Sequence, residues 1–307
     1  MQLASYLIDE GVSSTMISSR QIHVVGNRTW AIEWGEGLLV MDPGFESSPT
    51  LDNLLLLQAK TYKKMSHLFL SHHHYDHADN LPAFYALQAE GKLNFTLVAH
   101  EKSPAIVLAK RMNLPYVAIK NDHIMKLAAG DVHVLATPGH TSLGDDISIW
   151  IPKMSTLFAG DLPQPQGPSY ENCTFHSAFS NHSDGVTVLH SLERLCQLTP
   201  ELLLMGHEGE ALPEEKGLAA LEITRRVLER TRHLATRLVK ENPGEAKDTY
   251  VEWIFDTISW ERGMDREKSE DRKCEGHKGA CPRLAPQSYY RLYDTHAIEF
   301  FVEAALL

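Results

Sequence analysis

The chain has 307 residues, 43% of them apolar and 22% charged, which supports a sizeable buried core and excludes wholesale disorder. Its 29 basic and 40 acidic side chains leave a formal charge of −11, which argues against a nucleic-acid partner. No apolar run approaches the roughly 18 residues of a membrane span, the opening stretch lacks a secretory signal pattern, and four cysteines are too few for a disulfide scaffold. A cytoplasmic protein with no membrane partner is expected. Histidine is in excess, 17 residues, and invites a search for metal or proton-transfer chemistry.

In chain order, 29–34 and 37–41 read as strands, and Asp42-Pro43-Gly44 as the turn that ends the second. A helix is predicted over 47–60, where Ser and Thr precede a leucine-rich run, and a buried strand over 67–70. Helices come next at 78–90 and 102–111, with strands at 95–99, 123–127, 131–136, 146–151 and 155–159. Residues 162–184 are rich in Gly, Pro and aromatics, and a loop that long is expected to cover a site. Helix 186–198 and strand 201–205 close this segment. Beyond Leu212-Pro213, the stripe Leu221, Leu228, Ala235 and Leu238 predicts a long amphipathic helix that Asn242-Pro243-Gly244 stops. Two more helices are read at 248–260 and 289–306. The pattern divides the chain into a mixed-sheet α/β segment, 1–212, and a helical extension, 213–307.

Chemistry concentrates at strand ends. Leu68-Phe69-Leu70 runs straight into Ser71-His72-His73-His74-Tyr75-Asp76-His77. Alternate residues of an extended chain face one way, so His72 and His74 can converge on one cation, while Asp76 and His77 can reach a second. Imidazole and carboxylate at this density suit Zn²⁺, Mn²⁺ or Fe²⁺. The same grammar, an apolar strand followed by a ligand-type side chain, recurs at His140, Asp161 and His207, each time with glycine immediately before it. A lone His or Asp after a strand is usually a turn or a cap. Seven such residues from four strand ends are not.

The set His72, His74, Asp76, His77, His140, Asp161 and His207 resembles the ligand pattern of the metallo-β-lactamase-fold hydrolases, and Asp42-Pro43-Gly44 resembles the turn that precedes it there. The resemblance covers roughly residues 20 to 210. It implies an α/β four-layer αβ/βα sandwich with a dinuclear site. His72, His74 and His140 would hold one divalent ion, and Asp76, His77 and His207 the other, with Asp161 bridging. Zn²⁺ is the expected metal, with Fe or Mn as alternatives. Asp76 would also orient the attacking hydroxide or carry a proton. Asp161 stands where the commonest zinc β-lactamases carry cysteine, and the Gly-Cys-Gly-Arg run of glyoxalase II is missing after it. The implied activity is hydrolysis of an ester, lactone or thioester of a small-molecule substrate. A phosphodiesterase, a metal-holding regulatory protein with weak turnover and an iron redox module remain as rivals.

Tyr75, Tyr170, Phe175, His176 and Phe179 are candidates for the substrate pocket, although the loop aromatics serve equally to pin the loop. His73 should face away from the metals. Cys274, His277 and Cys281 read as a plain loop, a disulfide or a metal clip. The C-terminal helices either cover the pocket or form a homodimer contact.

Overall fold

A computed structural model describes residues 21–26, 28–163, 183–206, 211–261 and 289–307. His207, the aromatics of the covering loop at 170, 175, 176 and 179, and Cys274, His277 and Cys281 lie outside the described residues. Contacts divide the chain into two compact units. The first holds the described residues up to Ala136 together with Asp145–Gly160 and Pro200–Gly217; the second holds those of 137–144, 161–199 and 218–307.

The first unit is built on two six-stranded sheets. One sheet runs in sequence order through β1 (Ile22–Gly26), β2 (Thr29–Trp34), β3 (Gly37–Met41), β4 (Lys64–Phe69), β5 (Thr96–His100) and β6 (Tyr116–Ile119). The β1–β2–β3 meander is antiparallel, and β3 to β6 are parallel neighbours. The helices α1 (Thr50–Thr61), α3 (Leu81–Ala89) and α4 (Pro104–Arg111) lie in the crossovers, and a single turn, α2 (Tyr75–Ala78), precedes α3. The second sheet has the order β12-β11-β10-β9-β8-β7, from β7 (His123–Leu127), β8 (Gly130–Ala136), β9 (Ile147–Ile151), β10 (Thr156–Phe158), β11 (Leu202–Leu204) and β12 (Ala211–Pro213). Only its β10–β11 pair is parallel.

Alternation along the strands shows how the sequence builds three of the four expected layers. Leu38, Val40, Leu68, Leu70, Leu97 and Ala99 pack with Leu54, Phe84, Tyr85 and Ile106 of the helices. The residues between them, Leu39, Met41, Phe69 and Val98, join Val132, Ile147, Ile149, Phe158 and Leu204 of the other sheet. A strand buried on both faces reads as a continuous apolar run, as Leu38 to Met41 does. Each fully buried Leu or Phe contributes about 1.5–3 kcal/mol.

The second unit is helical: α5 (Gly185–Cys196), most of α6 (Glu214–Glu241), α7 (Lys247–Glu261) and α8 (Tyr289–Leu306). Leu221, Leu228 and Ala235 are buried along α6, as the stripe predicted. Helix α8 packs on α7 and α5, and Lys247 Nζ ties α7 to Glu303 of α8 at 3.0 Å. Gly185 sits against the rings of Phe300 and Phe301, where a Cβ would come within 2.7 Å. The class is α/β with C-terminal helices, as expected.

Three strands escape sequence reading. β1 and β6 are short edges, with Tyr116 and Ala118 exposed, and β12 carries Pro213, which an edge strand alone tolerates. Strand β4 starts at Lys64, three residues earlier than the apolar run indicates, because polar Lys64 and Ser66 flank the buried Met65 there.

Candidate metal centre

The parallel strands β3, β4 and β5 deliver their carboxyl ends to one edge of the first sheet, the usual place for ligands in such sheets. Past β3 the chain turns at Asp42, a fully buried aspartate with φ +55°. Asp and Asn tolerate this left-handed conformation better than other non-glycine residues. Its backbone N–H donates to Phe69 O at 2.9 Å, which ties the turn to the end of β4. Gly44, at φ +74°, donates to His77 O at 2.9 Å and so fixes the turn to the start of α2.

The Asp42 carboxylate organises the histidine run from its first residue. Oδ1 accepts the Ser71 backbone N–H at 2.7 Å; Oδ2 accepts the Ser71 hydroxyl at 2.8 Å and the His77 ring at Nδ1 at 2.7 Å. The Ser71 proton is committed to the carboxylate, so Ser71 Oγ accepts from His72 Nδ1, 2.9 Å away. Both His72 and His77 therefore carry their proton on Nδ1 and present a lone pair at Nε2, the state in which imidazole ligates metal. Their ring centroids are 4.2 Å apart, and the His74 ring lies edge-on to His72 at 4.7 Å. His72 and His77 are buried. The histidines and the Asp42 turn are legible in the sequence, whereas Ser71 has no signal there beyond its place beside His72.

His73 points to a different partner: its Nδ1 is 2.8 Å from Asp145 Oδ1, a fully buried carboxylate. That hydrogen bond raises the His73 pKa above its ordinary value, against a smaller opposing effect of burial. Asp76 Oδ2 lies 3.8 Å from His77 Nε2 and 3.3 Å from the guanidinium of Arg28, a residue that sequence reading passed over. Tyr75 is 71% exposed and meets Phe45 edge-on at 5.6 Å. In the same unit, the ends of β10 and β11 are locked together by Gly206 N–H donating to Gly160 O at 2.9 Å, one residue before Asp161 and His207 respectively. Gly160 has φ +57°, and a Cβ there would sit 3.2 Å from Ser71 Cβ. Glycine thus admits the strand end beside the histidine run.

In the second unit, His140 and Asp161 are both buried, with His140 Nε2 3.7 Å from Asp161 Oδ2. The segment carrying His140 is pinned to the start of α5. Ser183 Oγ donates to His140 O at 2.7 Å, Asp184 N–H to Gly139 O at 2.8 Å, and Ser191 Oγ to Pro138 O at 2.8 Å. Asp184 itself caps α5 through Val186 and Thr187 N–H. Gly139, at φ +127°, passes so close to Val188 that a Cβ would lie 2.6 Å from its nitrogen.

His72, His74, His77, His140 and Asp161 all belong to groups of side chains able to hold a metal ion. Imidazole nitrogen with carboxylate oxygen is a donor set suited to divalent zinc, iron or manganese. Among the described residues, no helix is long and apolar enough to cross a membrane.

Residues 24–207 match the family model of the metallo-beta-lactamase superfamily. Among solved structures, the chemotaxis sensor ODP, described as a peroxy diiron species, aligns with a TM-score of 0.50 and 14% identity, over 66% of this chain and 86% of that one. A metallo-beta-lactamase from Pontibacter korlensis aligns at 0.49 with 17% identity, over 68% and 98%. The enzyme FIM-1 from Pseudomonas aeruginosa in its mono-zinc form gives 0.48 and 17%, over 66% and 83%. At these identities the likeness to ODP is one of fold. Family match and metal-capable side chains together support a metal-dependent hydrolase. With more than half of its length matched by the family model, this chain belongs to the metallo-beta-lactamase superfamily.

Proposed function

We propose that this chain is a dinuclear zinc hydrolase that cleaves a carboxylic ester, lactone or thioester of a small molecule in the cytoplasm. The observation that carries the reading is the Asp42 network: its carboxylate lies 2.7 Å from His77 Nδ1 and 2.8 Å from Ser71 Oγ, which in turn lies 2.9 Å from His72 Nδ1, so that both buried rings are oriented through Nδ1 and turn Nε2 to the metal side. A histidine-rich loop without a metal role has no need of a shared buried carboxylate to set two tautomers.

In this reading His72, His74 and His140 would hold one ion and Asp76, His77 and His207 the other, and Asp161 would serve both. When bound, such ions acidify a water toward neutral pH and polarise the scissile carbonyl. The chain does the rest. Asp42 and Ser71 keep the ligand rings oriented, a role for outer hydrogen bonds that commonly governs metal affinity. Asp76, next to His77, orients the attacking water or passes a proton to the leaving group. Two aspartates would not cancel the charge of two divalent ions, so the loaded centre would favour an anionic transition state although the whole chain is acidic. Exposed Tyr75 would line the way to the site.

Elemental analysis combined with a panel of chromogenic esters, thioesters, lactones and phosphodiesters tests the proposal. Two equivalents of zinc and turnover of a carboxylic substrate are expected. Turnover of phosphodiesters alone would move the reading to phosphoryl chemistry, and iron with no hydrolysis would move it to a redox module. Asp161→Ala should abolish metal retention and turnover together, and unchanged turnover would refute its bridging role.

A further inference from the structure

Arg28 stands between β1 and β2, outside the ligand pattern, yet it touches the centre. Its Nη1 lies 3.3 Å from Asp76 Oδ2, and the two side chains are only 16% and 14% exposed. The guanidinium is seated on the face of Phe45 at 5.1 Å from the ring centroid, and Phe45 in turn is braced by Tyr75 at 5.6 Å. The oxygen it holds is Oδ2, the same atom that lies 3.8 Å from His77 Nε2. His77 Nδ1 is committed to Asp42, so Nε2 is its ligand nitrogen. Arg28 therefore grips the carboxylate oxygen turned toward that nitrogen.

Elementary electrostatics gives this contact two effects. A guanidinium keeps its charge at every physiological pH, so it competes for Oδ2 under all working conditions. Its fixed positive charge also repels a dication approaching the same oxygen, and partial burial weakens the screening. The Phe45 face makes it costly for Arg28 to swing away. The His72–His74 position draws its donors from residues other than Asp76, so the competition bears on one position and not the other.

We propose that Arg28 is a positioning residue that competes with a divalent ion for Asp76 Oδ2, so that the Asp76–His77 position binds more weakly than the His72–His74 position and fills second. This inference rests on the dinuclear reading of the centre. Its chemistry is graded loading: one ion held firmly, the other exchangeable at the oxygen that Arg28 guards.

The test is a titration of the full, chelator-stripped chain with Zn²⁺ against a chromophoric competitor, which reads affinity without turnover. The native chain is expected to take up two ions in separate steps. Arg28→Gln should tighten the second step about tenfold or more and leave the first within about threefold, which draws the steps together. Arg28→Lys keeps the charge and should stay nearer the native pattern. If circular dichroism shows Arg28→Gln to be unfolded, Phe45→Leu gives the same readout, with the second step tightened by about threefold as the guanidinium loses its seat. An unchanged or wider gap between the steps in the folded variant overturns the role of Arg28 and leaves the dinuclear reading intact. A native chain that takes up fewer than two ions overturns both.

Discussion

Replacing Asp42 with Asn should damage stability and metal binding together, and the reason lies in proton positions. The side chain is isosteric, and Asn tolerates the positive φ of 55° as Asp does, so backbone strain is not at issue. The amide oxygen can still accept the Ser71 backbone N–H, now made at 2.7 Å. The amide nitrogen, however, replaces an oxygen that accepts from Ser71 Oγ at 2.8 Å and His77 Nδ1 at 2.7 Å. Hydrogen bonds to a charged acceptor contribute about 1.5–3 kcal/mol each, and partial rearrangement recovers some of it, so a net loss of about 2–4 kcal/mol is expected. Rearrangement is itself harmful. If the Ser71 hydroxyl turns to accept from the new amide, it must donate to His72 Nδ1 and drive that proton to Nε2. His77 faces the same choice between N–H against N–H and the opposite tautomer. Each ring then loses its ligand lone pair, and metal affinity should fall about 10–100-fold. Urea unfolding of the stripped protein and competitive Zn²⁺ titration measure the two effects. An unfolding free energy within about 0.5 kcal/mol of native, with metal affinity unchanged, would refute the tautomer argument.

Further consequences can be measured independently. Gly139→Ala places a Cβ 2.6 Å from the Val188 backbone nitrogen at φ +127°, and should cost about 2–4 kcal/mol in denaturant unfolding. Gly91→Ala, at φ +71° with nothing within 4 Å, should lose only about 1 kcal/mol; equal losses would show that crowding at Gly139 is unimportant. Burial depresses the pKa of His67 and, with partly offsetting contacts, of His100. The unfolded chain then binds protons more readily, so their contribution to stability is complete above about pH 6.5 and is lost as pH falls through the depressed folded values. His67→Phe keeps the stack on Phe69, 6.1 Å between centroids, and removes one titrating group. Unfolding free energy should fall less between about pH 7.5 and 5.5 than in the native chain; an identical slope would exclude His67 from the acid limb.

The parts of the fold that sequence reading recovers are those in which one physical signal dominates. Leu38 to Met41 and Leu97 to Ala99 are buried on both faces, so their apolar runs announce central strands. Leu221, Leu228 and Ala235 announce α6 through their spacing. The edges are different. Tyr116-Val117-Ala118-Ile119 is a four-residue apolar run, but it is as short as a loop segment can be and two of its side chains, Tyr116 and Ala118, meet solvent, so pairing with β5 is what makes it an edge strand. Lys64 and Ser66 open β4 with polar side chains that the register with β3 extends, so pairing decides its boundary rather than hydropathy.

The site shows the same division at finer scale. Ligand-type residues declare themselves because histidine and aspartate after an apolar strand are chemically conspicuous. The residues that set their state do not. Ser71 is an ordinary hydroxyl in sequence, and its importance comes from lying between Asp42, 29 positions away, and His72, its neighbour. Arg28 is 48 positions from Asp76, and nothing local marks it. Asp145 reaches His73 across 72 positions and turns the middle histidine of the run into a structural group. Spacing therefore identifies which atoms can touch a metal, whereas proton position and competing charge come from tertiary contacts. On the proposed seven-ligand reading, two chains that share the ligands would still differ in metal affinity through residues such as Ser71, which sets the His72 ring, and Arg28, which contacts Asp76.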